Sequence, residues 1–417
     1  MSVKKNVAVL CSNYYPIMGG PATCIDKYVS SLSESYNFYI ITRNDSIKEP
    51  KSDKYNIIYF SSLRHLVITR CKYNITHHSF TFFSKLLLLL INAFRLFQIQ
   101  YAFPDANRWE INANYEKLKE LNKNVGIDVV IAVSNTFYDQ LAMLKFKKEY
   151  PSIKWICFIT DPYAENYIYY KYKLFKGLWK RANLKKEQDI YNVCDYVMVT
   201  TEMFIYIPKA FRIKRNKLFP IQFTLDPQME GFSNPSMNSK VCKLIFAGTL
   251  YMKIRNPEFF LSVISKVKDV SLDLFVRKGE CEQIINRYAK DNIHREYFVD
   301  KAKYIDMLKY GYDVLVNIGN VSTLQAPSKM LELLSTGKPI INFYFTEDTQ
   351  FNMIEKYPLG LNIKNGDLDA VRKIENFCHE MKGKRMTFKE VEVLFPDNNI
   401  DSQVGLLTVS YTHLTLP

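Results

Sequence analysis

Apolar residues fall in short unbroken runs rich in β-branched and aromatic types, separated by stretches of helical periodicity. In the first half, Asn6–Cys11, Phe38–Thr42, Ile127–Ser134, Trp155–Asp161 and Tyr196–Thr200 read as buried strands. A helix is predicted from about Ala22 to Ser35, after a loop spanning Ser12 to Pro21. Turn formers then take over from Phe223 to Ser236, which reads as a linker. Beyond it the alternation restarts: strand Lys243–Gly248, helix Pro257–Val267, strand Leu272–Val276, helix Tyr304–Tyr310 and strand Asp313–Asn317. Strands alternating with helices predict parallel, doubly wound sheets. The expected class is α/β, with two Rossmann-like domains facing a cleft: residues 1–226 and 227–408.

One run breaks the pattern. Thr81–Phe97 is the most apolar stretch in the chain, interrupted by Lys85, Asn92 and Arg95. A membrane span needs roughly 20 mostly apolar residues, so a helix that is buried or lies at a membrane interface is expected. Residues 409–417 match the conceptual translation of a sequencing adapter and read as a non-native tail, outside fold reasoning.

At 417 residues the chain exceeds one ordinary core, and 47% hydrophobic with 24% charged residues describes a globular protein. A net charge of +14 favours anionic partners, namely nucleotides or phospholipid head groups. No zinc-finger spacing or long basic arm supports nucleic acid as a partner. The eight cysteines are scattered without a CxxC pair, several within strand-like runs, which fits buried thiols in a reducing compartment. The N-terminal run is short and lacks a cleavage pattern, so it reads as a first strand of a cytoplasmic protein.

Candidate chemistry concentrates in Ala326–Asn342. Pro327, Gly337 and Pro339 bracket a short helix, and a strand-like run, Ile340–Phe345, follows. Ser328 and Lys329 occupy the first turn, where free backbone N–H groups favour phosphate, and Glu332 shares their face. Anion donors beside one carboxylate suit a nucleotide diphosphate and its ribose hydroxyls; an ordinary amphipathic helix with a solvated ion pair has the same spacing. Gly19-Gly20, between a strand and a helix, allows close approach of a phosphate or sugar. Neither G-x-G-x-x-G nor G-x-x-x-x-G-K-[ST] is present. Lys253 and Arg255 follow the strand ending at Gly248, and either could neutralise a leaving diphosphate or simply face solvent. Asp161 ends an apolar strand, an unusual place for a carboxylate unless it serves a site or caps a turn. Between Ile168 and Lys186, seven basic residues interleave with aromatic and aliphatic ones, suiting either an anionic membrane surface or a solvated helix face.

With these residues in view, the chain resembles glycosyltransferase family 4 and its relatives of the GT-B fold, particularly those of bacterial surface-polysaccharide assembly. The resemblance covers most of residues 6–345. It is carried by Tyr15–Pro21, by Phe246–Leu250 followed by Arg255–Pro257, by Asp313–Asn320, and above all by Pro327-Ser-Lys, Glu332 and Gly337-Lys-Pro339. It implies transfer of a sugar from a nucleoside-diphosphate donor to a lipid-linked or glycan acceptor, with retention and without a tightly bound metal or other cofactor. By that likeness Glu332 would hold the ribose, Gly19 and Gly20 would face the diphosphate and acceptor, and Lys253 or Arg255 would stabilise the leaving phosphate. Asn320, Ser328 and Lys329 would complete the donor site, and Asp161 would lie near the reacting sugar. The expected location is cytoplasmic and peripheral, at the inner face of the cell membrane. Many relatives carry a second glutamate eight positions before the ribose one; here that residue is Leu324, between Thr323 and Gln325. Two alternatives stay open: a sugar-nucleotide epimerase of the same fold, which would want extra acid/base groups, and a catalytically inactive nucleotide-sugar-binding partner.

Overall fold

A computed structural model describes residues 4–14, 18–44, 52–61, 63–100, 108–133, 137–166, 170, 173–231, 240–296, 299, 301–322, 324 and 328–405. The chain divides into two compact units, Met1–Ile221 with the residues from Val404 onward, and Gln222–Gln403.

The first unit holds seven parallel strands: β1 (Asn6–Leu10), β2 (Asn37–Arg43), β3 (Asn56–Phe60), β4 (Val129–Val133), β5 (Lys154–Ile159), β6 (Tyr196–Thr200) and β7 (Leu218–Ile221), in the order β3-β2-β1-β4-β5-β6-β7. Its helices are α1 (Gly20–Leu32), α2 (Leu63–Thr76), α3 (Thr81–Ile99), α4 (Trp109–Val125), α5 (Phe137–Glu149), α6 (Lys176–Val193) and α7 (Thr201–Ala210). Central strands β1 and β4 are apolar because helices cover both faces, leaving Val7, Val9, Val130 and Val133 fully enclosed.

The second unit holds β8 (Cys242–Gly248), β9 (Val270–Val276), β10 (Ile293–Glu296), β11 (Val314–Ile318), β12 (Ile340–Tyr344) and β13 (Gly360–Lys364), ordered β10-β9-β8-β11-β12-β13 and again parallel. Around it lie α8 (Glu258–Ile264), α9 (Glu282–Tyr288), α10 (Lys301–Asp306), α11 (Ser328–Ser335), α12 (Thr349–Lys356), α13 (Ala370–Met381) and α14 (Phe388–Leu394). In both sheets the order reverses beside the first strand, at β1/β4 and at β8/β11. Connections leave in opposite directions there, opening a crevice at the strands' carboxyl ends.

A row of amides crosses the second sheet. Asn317 Nδ2 donates to Asn342 Oδ1 at 2.8 Å and to Gln350 Oε1 at 2.9 Å, and Asn342 Nδ2 donates to Asn362 Oδ1 at 2.8 Å. These three asparagines are direct cross-strand partners on β11, β12 and β13. Each amide in the apolar strands is thereby satisfied by its neighbour, which makes burial tolerable.

Two expectations need correction. The stretch read as a linker is anchored, for its described part, to the second unit: Leu225, Asp226 and Gly231 donate backbone N–H groups to Asn398 O, Ser335 Oγ and Thr336 O at 2.8–2.9 Å. Turn formers marked a change of backbone direction there, and the hydrogen bonds fix it. The apolar Thr81–Phe97 run is an exposed helix, not a buried one, with Phe82 73% and Phe83 69% exposed. All eight cysteines are buried and unpaired. The 409–417 tail, Tyr15–Ile17, Thr323, Gln325 and Pro327 lie outside the described residues.

Candidate functional site

In the second unit the groups that matter gather at the β8/β11 switch point. β8 ends at Gly248, and a tight turn closed by Arg255 N–H donating to Tyr251 O at 2.8 Å brings Arg255 back towards the strand. β11 ends one residue before Gly319, whose N–H donates to Phe343 O at 2.8 Å and sets the position of Asn320. Asn320 Oδ1 accepts from Arg255 Nε at 3.2 Å and from Nη2 at 2.9 Å. This fork leaves Nη1 directed at Gly248. Lys329, in the first turn of α11, reaches the same spot: a Cβ built on Gly248 would lie 3.4 Å from Lys329 Nζ and 3.6 Å from Arg255 Nη1. Both cationic groups therefore come within van der Waals reach of the strand end.

Two cations sharing a partly buried pocket are electrostatically unfavourable, and Lys329 shows it. Burial, with Arg255 nearby, holds the Lys329 ammonium down to about 8 despite the opposing pull of Glu332. Burial likewise brings the Arg255 guanidinium down to about 10. Glu332, one turn along α11, stays partly exposed on the Lys329 face, while Met330, Leu331, Leu333 and Leu334 pack inward. Aromatic walls complete the spot, since Lys329 Nζ lies 5.7 Å from the Phe246 ring centre and 5.6 Å from that of Tyr304. The Tyr304 hydroxyl is buried without a hydrogen-bond partner among the described residues, and burial first, then Glu332, raises its pKa. Two half-buried cations at one strand end favour an anion electrostatically.

The structure thus gathers Arg255, Asn320, Lys329 and Glu332, with Ser328 opening the same helix. Lys253 remains in the exposed turn before Arg255. Lys338, in the motif after Gly337, is a scaffold residue: it is buried, and its Nζ donates to Tyr312 O at 2.8 Å. Leu324 lies in a turn, its N–H 3.4 Å from Ser322 Oγ. Tyr304 and Gly248 were not singled out by sequence reasoning. A tyrosine nine residues before the nearest motif carries no local signal, and a glycine ending a strand is common.

In the first unit Gly19 caps α1 in extended conformation and Gly20 begins it, followed by Pro21. Upstream of them, Ser12, Asn13 and Tyr14 are held by long-range bonds. Ser12 donates its N–H and hydroxyl to Asp139 at 3.1 and 2.6 Å, Arg43 Nη2 donates to Asn13 Oδ1 at 2.9 Å, and Tyr14 N–H donates to Thr42 Oγ1 at 3.2 Å. Arg43 also pairs with Glu110 at 2.7 Å. Asp139 is fully enclosed, and burial pushes its carboxyl up to about 6 against the hydrogen bonds from Ser12 and Asn114. This network escaped the sequence because its bonded partners are 25 to 127 residues apart. Asp161 sits two residues past β5, where burial, with Glu202 adding to it, raises its carboxyl to about 6; Thr160 Oγ1 donates to it at 3.3 Å.

No family model matches the chain, and no curated protein matches it by sequence. Solved structures do match its fold. Sucrose-phosphate synthase from Thermosynechococcus elongatus aligns over 99% of this chain and 99% of its own, with a TM-score of 0.64 and 13% identity. Anabaena HepE, in complex with UDP and glucose, aligns over 99% and 100%, with a TM-score of 0.64 and 11% identity. WaaG, a glycosyltransferase involved in lipopolysaccharide biosynthesis, aligns over 99% and 100%, with a TM-score of 0.58 and 10% identity. At such identities the likeness speaks for architecture: the chain has the two-unit GT-B fold that these proteins share.

Proposed function

We propose that the chain is a glycosyltransferase that moves a sugar from a nucleoside-diphosphate donor to a lipid-linked or glycan acceptor in cell-surface polysaccharide assembly, with retention of configuration. One observation carries the reading: the Arg255 and Lys329 cations converge on Gly248 at a sheet switch point, one helical turn from Glu332. Solved relatives by fold include HepE bound to UDP-glucose, which supports a nucleotide sugar as co-substrate. Lys329 and Arg255 hold the diphosphate, and as the sugar–oxygen bond breaks they stabilise the charge gathering on the departing group. Glu332 accepts hydrogen bonds from the ribose hydroxyls. Asn320 keeps Arg255 aimed, and the N-terminal backbone groups of α11 add donors beside Ser328. Asp161, its carboxyl raised by burial to about 6, is assigned to proton handling on the acceptor side. The enzyme works in the cytoplasm, peripheral to the inner membrane, where the basic segment running into α6 meets anionic head groups.

A thermal-shift screen across nucleoside diphosphates and their sugars tests the reading, because a ligand selective for the native state raises Tm. No shift with any of them would defeat it. Glu332→Ala should weaken nucleoside-diphosphate binding roughly tenfold or more in calorimetry, since charged hydrogen bonds contribute about 1.5–3 kcal/mol each; unchanged affinity would refute the ribose role.

Proton linkage offers an independent check. Burial brings the Lys329 ammonium down to about 8, well below an ordinary lysine. A bound diphosphate favours the ammonium and raises that value, so binding above pH 8 should take up a proton and weaken as pH climbs. Calorimetry in buffers of different ionisation enthalpy reads the uptake, which Lys329→Met should abolish.

A further inference from the structure

Helices α2 and α3 form an antiparallel hairpin on the first unit. Asn74 Nδ2 donates to Ser84 Oγ at 3.4 Å near the turn, and Arg64 Nη1 donates to Gln98 Oε1 at 3.1 Å at the open end. Left-handed backbone at His78 and Phe80 makes the reversal tight. These bonds assign one face of α3 to its partner, the face carrying Ser84, Leu88, Ile91 and Gln98. The opposite face carries Phe82, Phe83, Leu86, Leu90, Phe94 and Phe97, at three- and four-residue spacing, and every one is exposed. α3 is also long and apolar enough to cross a membrane by length and composition.

We propose that this hairpin is the membrane-docking element of the protein, with α3 lying in the plane of an anionic phospholipid bilayer and its phenylalanine–leucine face immersed among the acyl chains. Charge selects the occupant. From Lys54 to Pro104 the sequence contains no aspartate or glutamate, while Arg64, Arg70, Lys72, Lys85 and Arg95 all lie on the hairpin. An anionic lipid surface complements that distribution, and a second copy of this chain would bring the same uncompensated positive charge against it. Continuity points the same way. Leu174 N–H donates to Gln100 Oε1 at 3.0 Å, so the exposed Leu174, Phe175 and Leu178 extend the apolar patch beside the end of α3. Lys176, Lys180, Arg181 and Lys185 of α6 follow directly. The polar residues decide the orientation. Lys85, Asn92 and Arg95 are spread along the length of α3, so a spanning helix would carry them into the hydrocarbon, whereas an in-plane helix keeps them at head-group level.

This inference rests on the membrane setting proposed above and names the element and depth of contact. Full-length protein is floated with phosphatidylglycerol–phosphatidylcholine vesicles and with phosphatidylcholine alone. The parent should float with the anionic vesicles and lose the vesicles at high salt; Phe83→Glu/Leu90→Glu should lower the partition coefficient at least about tenfold. In parallel, Leu90→Trp should gain fluorescence quenched by lipids brominated on the acyl chain, beyond that of the parent. Parent protein that ignores anionic vesicles, a double variant that floats unchanged, or absence of added quenching would each overturn the proposal. So would a parent that is dimeric in sedimentation and made monomeric by the double change, which would give the face to a second copy. UDP affinity, read without vesicles, should be the same in parent and double variant. Failure of the donor site would therefore appear as lost UDP binding, and failure of the hairpin proposal as lost flotation.

Discussion

Lys329→Met should lower kcat by about 10²–10³ while raising the melting temperature of the ligand-free protein. The first effect follows from the charge it supplies: removing one preorganised donor from a developing oxyanion typically costs about 3–4 kcal/mol of transition-state stabilisation. The second follows from the burial of that charge. Burial and the neighbouring Arg255 bring the lysine down to about 8, so the folded protein disfavours its charged form at neutral pH. The sign is definite: between pH 8 and the value of an unfolded lysine, the unfolded chain binds more protons, so this group adds stability as pH rises and withdraws it as pH falls. An apolar side chain of similar length removes the penalty. A scaffold lysine behaves oppositely, losing stability on replacement. Arg255→Ala should match the catalytic loss and affect turnover more than donor affinity, which steady-state and single-turnover kinetics separate. Unaltered turnover in both variants would remove the pair from the chemistry.

Gly337→Ala should be the most damaging single change in the second unit, by about 3–5 kcal/mol, with Tm falling by roughly 10 °C. Gly337 ends α11 at φ +69°, and a Cβ there would stand 2.0 Å from the Met386 carbonyl oxygen. Its own carbonyl accepts the Met386 N–H at 2.8 Å, so neither segment can retreat without breaking the bond that joins them. Gly366→Ala isolates the conformational part of the cost. That glycine has φ +90° with nothing within 4 Å, and its replacement should cost only about 1–2 kcal/mol. Equal losses at both positions would mean that the Met386 contact relaxes freely.

The parts of this fold that could be read from sequence share one cause: enclosure on both faces. Strands β1, β4, β6, β8 and β11 are central or covered, so their apolar runs stand out from what flanks them. β3, β7, β10 and β13 lie at or next to sheet edges and carry mixed residues such as Asn56, Pro220, His294 and Asn362, which left them unread. Similarly, Lys329 and Glu332 were legible because one helix brings them together within four residues. Arg255 was visible as a candidate, but its choice over Lys253 came from Asn320, sixty-five residues away. The Ser12–Asp139 network was beyond reach for the same reason. Thr81–Phe97 shows the converse: apolar composition reports a preference for leaving water, and protein interior and lipid satisfy it equally.

The amide row across β11, β12 and β13 has a bearing on how finely the anion site is set. Asn317 is three residues upstream of Asn320, the group that steers the guanidinium. Sliding any of these strands by one residue would turn an asparagine to the other side of the sheet and strand its neighbours without partners in the hydrocarbon. The row therefore works as an alignment key, admitting a single offset between strands and so fixing, to within a bond's tolerance, where the arginine's fork comes to rest.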